Sequence, residues 1–497
     1  MPSEQRLHPL SFLFTIGSSL KSLVIPILLL LFAASSNRYE QWFAVFVIPY
    51  TVVALIRYFG FRYRFDDDEL VIKTGFIFRN ERHIPYARIQ NIGSAQNPFH
   101  RLLRVAEVRV ETAGGAEPEA RIQVLSVAAM EEMRRRVFEE KRKALGVEAP
   151  EGVPAAPAEP ASRTLLSLPL RELILYGLID NRGMVVVGAL VGLAWEFGWM
   201  SGFGGSDAGL WRSATHAARG VLTSIAQAGL ALGAVVLFLA LLRLFSVGWA
   251  IFRLHGFTLK RAGRDLTTVC GLLTRVTATI PLNRIQLLSI RQRPLHRLFA
   301  RAEVRADTAG GGTPGQEAAA SHERLAPLIR KEDLDGLLQE VEPEVNLSAV
   351  EWIGVDPRAR KRILKVSLLI DAVVAVGCMA LAGWWGLLVL LLLIPLAFLD
   401  ARLQVMHMGY ALAAGVVLYR SGWAWRHLSM TRYSKIQAVT LAQSPFDRRY
   451  GMAKVRVDTA GAEGSPHQIH IPYLDLGVAR GMYEQLGLRA SQARFQW

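Results

Sequence analysis

Cysteine is nearly absent from this chain. Only Cys270 and Cys378 occur in 497 residues, which excludes a disulfide framework. One lies in a strand-like stretch and the other in an apolar run, so the two are not expected to meet. No Cys or His spacing suits a metal. The glycine triplet Gly310–Gly312 is not followed by Gly-Lys-Ser/Thr, which excludes a P-loop. No paired carboxylates, Ser/His/Asp set or Cys/His cluster stands out, so neither an enzyme nor a cofactor is expected. The acidic run Asp66–Glu69 reads as a solvated turn leading a strand. The first apolar stretch lacks a small-residue cleavage site and reads as an anchor that stays.

Acidic residues are also in deficit, with 57 Lys and Arg against 42 Asp and Glu and a net charge of +15. Such an excess suits nucleic acid or an anionic membrane. Hydrophobic residues make up 51% of the chain, and long apolar runs recur. The expected partner is therefore the lipid bilayer, with anionic headgroups, and not nucleic acid.

A span needs about 20 apolar residues. Six stretches qualify, at about 13–34, 41–59, 183–201, 221–245, 364–382 and 384–399. They fall into three pairs. The last pair is nearly fused at Gly383, Trp384 and Trp385, so a hairpin and one kinked segment both remain open. Lys and Arg crowd the outer flanks of each pair, as in Arg57, Arg62 and Arg64 after the first and Arg358, Arg360, Lys361 and Arg362 before the third. The loops within pairs hold few. The positive-inside rule then places both termini and all soluble regions in the cytoplasm.

The soluble regions carry a repeat. Residues 84–114, 280–310 and 431–461 align without a gap. Shared positions are Arg88, Arg284 and Lys435; Gln90, Gln286 and Gln437; Pro98, Pro294 and Pro445; Arg101, Arg297 and Arg448. Each copy closes on Ala-x-Val-Arg-x-(Asp/Glu)-Thr-Ala-Gly. Residues 69–74 and 76–79 alternate around Gly75 as a hairpin, and His83–Ile92 and Val105–Thr112 read as strands. Pro98 opens a short helix. Charged amphipathic helices end the copies at 130–143, 331–341 and 475–487. The Pro/Ala-rich stretch 146–163 reads as a linker.

This pattern, following a pair of spans, resembles the bacterial pleckstrin-homology-like domain of the YdbS/YdbT membrane proteins, with three copies as in the larger, YdbT-like type. The resemblance covers nearly the whole chain. It implies a membrane α-helical plus β-rich (α+β) fold. Six transmembrane helices in three pairs would each be followed by a cytoplasmic PH-like bent antiparallel sheet with a C-terminal helix. The parts are helix pair 1 at 13–59, domain 1 at 60–145, the linker at 146–163, pair 2 at 183–247, domain 2 at 250–341, pair 3 at 364–400 and domain 3 at 402–490. The resemblance implies the bacterial cytoplasmic (inner) membrane, an association with tolerance to membrane-active peptides, and a smaller one-domain YdbS-like homologue as partner. It implies no catalytic or ligand residue. A glycine usual after the short helix survives as Gly451 but is Arg104 and Ala300 elsewhere, so that turn is expected to differ between copies.

Candidate lipid or partner contacts are Arg88, Arg101, Arg104, Arg284, Arg297, Arg301, Lys435, Arg448 and Arg449. Arg88, Arg284 and Lys435 suit an anionic ligand or an ion pair with Glu111, Asp307 or Asp458. The Pro-led segments add Phe99, Leu102, Leu103, Leu295, Leu298, Phe299, Phe446 and Tyr450 to their arginines. Basic plus apolar on a short helix suits anionic headgroups, or a solvated basic face over a packed one. Within apolar runs stand Lys21, Glu196 and Asp371, of which Lys21 and Asp371 could pair. The function expected is a non-enzymatic membrane scaffold bearing on envelope integrity; the alternative is a transporter or exporter component.

Overall fold

The computed structural model describes residues 5–6, 62–66, 68–75, 79–112, 120–144, 163–180, 221–308, 324–343, 345–413, 415–460 and 468–493. The expected spans 13–34, 41–59 and 183–201 lie outside these residues, as do Lys21 and Glu196. So do most of the linker and the Gly310–Gly312 loop.

Each repeat is built alike. In the second, strand β8 (Arg163–Ser167) precedes the membrane-type helices and pairs with β9 (Thr258–Ala262), which follows them. The last residue of the expected linker is thus already in a strand. β1 (Gln5–Arg6) pairs likewise with β2 (Arg62–Phe65), and β15 (Ile353–Gly354) with β16 (Gly409–Ala413). Two further strands complete each first sheet: β3 (Glu69–Thr74) and β4 (Asn80–Pro85), β10 (Asp265–Cys270) and β11 (Arg275–Pro281), β17 (Val416–Ser421) and β18 (Arg426–Arg432). Residues in β10 alternate between half-buried and buried, the period-2 signature of a strand with one packed face.

A 3-10 turn follows each time, at Tyr86–Arg88, Leu282–Arg284 and Tyr433–Lys435. It divides the expected single strand His83–Ile92 in two. Pro85 and Pro281 sit at the break, where a fixed φ and a missing N–H stop the ladder. Then come β5 (Ile89–Gln96), β6 (Val105–Thr112) and β7 (Ala120–Ser126), with counterparts β12 (Ile285–Gln292), β13 (Arg301–Thr308) and β14 (Arg324–Arg330), and β19 (Ile436–Ala442), β20 (Met452–Thr459) and β21 (Gln468–Asp475).

Between the first two strands of each set lies a Pro-led helix: α1 (Pro98–Leu102), α5 (Pro294–Leu298) and α9 (Pro445–Tyr450). Each repeat ends in a longer helix: α2 (Val127–Ala144), α6 (Lys331–Val341) and α10 (Leu476–Gln492).

The turn after the Pro-led helix is the same in all copies, contrary to expectation. Arg104, Ala300 and Gly451 have φ of 53°, 50° and 65°. Their carbonyls accept the N–H of Val127, Lys331 and Leu476 at 3.0, 3.1 and 3.0 Å. Each acceptor thus caps the first residue of the C-terminal helix, and that contact holds two side-chain-bearing residues in the left-handed region.

The sheets do not respect repeat boundaries. β5 pairs with β11 and β12 with β18, giving seven-stranded sheets β7-β6-β5-β11-β10-β9-β8 and β14-β13-β12-β18-β17-β16-β15. A four-stranded sheet begins the series and the three-stranded sheet β19-β20-β21 ends it. Cores are shared accordingly. Leu418 and Met430 of the third repeat pack in the second repeat's core, and Leu287 of the second packs in the third's.

Helix α4 (Val221–Leu254) continues past the expected end at 245. Its partner α3 (Leu170–Ile179) lies so close that a Cβ on Gly177 would fall 2.4 Å from the Val247 Cα. The third pair is a hairpin and not one kinked segment. α7 (Ala359–Ala382) and α8 (Leu388–His407) pack against each other, joined by a 3-10 turn over Gly383–Leu387. Among the described residues two stretches are long and apolar enough to span, Val236–Leu254 and Leu388–His407.

Candidate functional site

The three Pro-led helices gather the candidate residues. On α1, Phe99 is 69% exposed beside exposed Leu102, Arg101 and Arg104. On α5, Leu298 is 74% exposed beside Leu295, Phe299 and Arg297. On α9, Phe446 is 67% exposed beside Arg448 and Arg449. Leu103 and Tyr450 are half-buried. The face inward is polar: His100, His296 and Asp447 are buried at equivalent positions. Apolar residues out and polar residues in reverse the usual helix pattern, so the open reading of a packed apolar face fails here.

The underlying anchors explain the inversion. Asp447 pairs with Arg362 on α7, accepts from the Ser444 N–H at 2.9 Å and so closes a capping box. Arg358 donates to the Tyr450 carbonyl at 3.1 Å, and Lys365 to its hydroxyl at 2.5 Å. Arg358, just before α7, and Arg362 and Lys365 within it recur every three to four residues and so fall on one side of the helix. The exposed apolar residues Val366, Leu369, Ile370 and Val373 begin directly after Lys365. Helix α9 is therefore fixed at the base of the apolar hairpin.

In the second repeat, Arg293 at the start of α5 lies 3.6 Å from Asp180 at the end of α3. Arg301 forms a bidentate pair with Glu172 of α3, at 3.0 and 2.8 Å. That pair holds the Glu172 carboxyl below its ordinary range and raises the Arg301 guanidinium. Arg301 is thus a structural tie and not a surface contact, a correction to its candidacy.

Hairpin turns lie at the same end. The Gly271 and Leu272 N–H groups donate to the His255 and Phe252 carbonyls at the end of α4, leaving Leu272 and Leu273 exposed. Trp423 donates to Asp400 of α8 at 2.8 Å, and Trp425 is exposed. Sequence reading missed these apolar tips. Their signal is a glycine followed by two or three apolar residues between strands.

Arg88, Arg284 and Lys435 differ from expectation. Arg88 is exposed, whereas Arg284 and Lys435 are 7% and 2% exposed. Burial removes the latter two from any surface contact. Lys435 donates to the Asn283 carbonyl of the preceding repeat at 2.5 Å. Burial lowers its pKa, and Arg432 adds to the effect. A single carbonyl needs no bidentate donor, which is why Lys serves in place of Arg. Arg297 crosses the same junction, donating to the Trp423 carbonyl at 2.6 Å. The Glu111 side chain lies outside the described residues. No group of His, Cys, Asp and Glu among the described residues could hold a metal ion.

Three units, each a short-helix-bearing set of strands closed by a helix, define a serial PH-like architecture. The chain belongs to the bacterial PH domain family, which it matches at residues 14–141, 218–345 and 363–490. All three matches begin within or beside an expected span; the first and third end on the C-terminal helix and the second just past it. Over nearly its whole length the chain is similar to the UPF0699 transmembrane protein YdbT of Bacillus subtilis (strain 168), with 23% identity over 501 residues and 96% of each chain covered. No solved structure matches.

Proposed function

We propose that this protein is a non-enzymatic multi-pass membrane scaffold whose Pro-led helices rest on the bilayer and hold anionic headgroups. The observation that carries the reading is the fixing of α9 by Arg362 and Asp447 at the base of the apolar hairpin, with Phe446, Arg448 and Arg449 turned outward. Aromatic residues flanked by arginines suit the zone between acyl chains and phosphates. A similarity to a transmembrane protein and two helices of spanning length support the membrane setting. The Lys and Arg flanks support a six-span topology with cytoplasmic termini and domains in the inner membrane. Envelope integrity and tolerance to membrane-active peptides are the physiological readings, and a one-domain homologue is the proposed partner. Co-purification in mild detergent tests that partner.

The lipid test requires the whole chain, because each inner sheet is shared between repeats. Full-length protein is placed in nanodiscs with and without phosphatidylglycerol, and retained lipids are counted by native mass spectrometry. Each Arg near a charged surface contributes about 1 kcal/mol. Arg101→Glu, Arg448→Glu and Arg449→Glu together should abolish the enrichment of anionic lipid. Equal retention by the variant overturns the reading.

A transporter component is the second reading. Asp371 in α7 supports it, since its Oδ2 is buried with no hydrogen-bond partner among the described residues. Unchanged phenotypes in Asp371→Asn would remove that support.

A further inference from the structure

The two junctions between repeats use one register. Gln96 faces Arg275 in the first and Gln292 faces Arg426 in the second, and these are equivalent positions in the repeat. Ser94 and Thr277 in the first correspond to Ile290 and Leu428 in the second. In each, the strand after the 3-10 turn of one repeat pairs with the strand before the 3-10 turn of the next.

Two halves of this junction are left over. β4 is the outer strand of the first sheet, and β19 the outer strand of the last. Among the described residues no strand pairs with either outer edge. Exposure follows. β12, paired on both sides, is buried along Ile285–Ile290, while Gln437, Ala438 and Thr440 at the equivalent place in β19 are exposed. Asn80, Glu81, Arg82 and His83 of β4 are exposed too. Arg88 is exposed where Arg284 and Lys435 are buried, and Lys435 reaches the preceding repeat's Asn283 carbonyl. Arg79 stands at the position of Arg275 and Arg426.

Open strand edges are usually blunted by charge. Residues 436–444 (IQAVTLAQS) contain none. Among the described residues the third repeat thus carries an uncharged, unpaired edge, and the first carries the edge that the internal junctions place against it.

We propose that a second copy of this chain docks head to tail, β19 of one copy pairing with β4 of the next in the register of the internal junctions. Val439 then faces His83, Thr440 faces Arg82, Leu441 faces Glu81, Ala442 faces Asn80 and Gln443 faces Arg79. Arg88 reaches the Ser434 carbonyl, the counterpart of Asn283. Pro85 stands in place of Arg432, so the external junction resembles the first internal one, which has Pro281 there, and lacks the 2.5 Å Arg432–Glu342 pair of the second. The contact is heterologous, so repetition extends the array or closes it into a ring. This inference goes beyond the lipid reading and does not depend on it.

The test is disulfide trapping of the full-length chain in membranes. In a Cys270→Ala, Cys378→Ala background, Asn80→Cys and Ala442→Cys are combined. Facing Cα atoms on paired strands lie about 4.5–5.5 Å apart, within disulfide reach. Oxidation should give a ladder of covalent dimers and higher multimers that collapses on reduction. Glu81→Cys with Ala442→Cys, one residue out of register and on opposite faces, should give none. Adding Thr440→Arg, which sets like charges opposite each other at Arg82, should abolish the ladder, and Arg82→Glu should restore it. The proposal is overturned by monomers only, by a bond within one chain, by equal ladders in both registers, or by trapping of a different protein in place of this chain.

Discussion

Replacing Asp447 should free α9 from the base of the hairpin without unfolding the domain. The Asp447 side chain is 6% exposed and its partner Arg362 22%. Removal has two costs. The helix loses a capping interaction, worth about 1 kcal/mol. Arg362 also loses a charge-assisted partner in a half-buried setting, worth about 2 kcal/mol. Asp447→Ala should therefore cost about 3 kcal/mol locally, or roughly 150-fold in the opening equilibrium of α9. Amide exchange of 445–451, followed by mass spectrometry in detergent, reads this directly, with β20 as the internal standard. Asp447→His installs the residue that His100 and His296 supply in the other copies. His100 accepts from the Asn97 N–H at 3.2 Å, so the cap should survive while the ion pair is lost. That variant should fall between wild type and Asp447→Ala. Equal protection in all three would refute the anchor, and loss of protection throughout β20 would show that the effect is not local.

Acidification should loosen α5. Burial pushes His296 below its ordinary pKa, with Glu303 and Asp180 opposing and Arg293 reinforcing the shift. The unfolded state then binds more protons, so stability is full above about pH 6.5 and falls as pH drops toward the lowered folded value. Exchange of 294–300, corrected for its intrinsic pH dependence, should rise between pH 7 and 5, and less so in His296→Gln. Arg104→Gly and Ala300→Gly relieve left-handed backbone costing about 1–2 kcal/mol each, partly offset by glycine's unfolded-state freedom. Each should raise the thermal midpoint in detergent slightly, and a fall would refute the strain. Gly177→Ala should cost about 1–3 kcal/mol by overpacking against Val247, seen as a lower midpoint.

Much of the architecture is legible from residues alone. The three repeats align without a gap, and the strand alternation, Pro-led helices and closing helices follow from local pattern. The exchange of strands between repeats is not local. β11 reads as a strand, but nothing in Arg275–Pro281 names β5 as its partner. One trace was present: β12 carries Leu287, Leu288 and Ile290, apolar residues on both faces, as a strand buried on both sides should. The shared turn at Arg104, Ala300 and Gly451 was hidden because the sequence shows the cost of a left-handed residue, not the carbonyl contact that retains it. The nine basic candidates looked equivalent in sequence. Burial separates them, enclosing Arg284, putting Lys435 at a junction and Arg301 in an ion pair, and leaving Arg101, Arg104, Arg448 and Arg449 on the surface.

The central claim is that the Pro-led helices touch the bilayer. It is tested most directly by an environment-sensitive fluorophore placed singly at Phe99→Cys, Leu298→Cys and Phe446→Cys in a cysteine-free background, reconstituted with phosphatidylglycerol. Blue-shifted emission, quenched by spin labels in the acyl chains and weakened by salt, is predicted at all three positions. Water-like emission at all three, unaffected by lipid composition, would contradict the account.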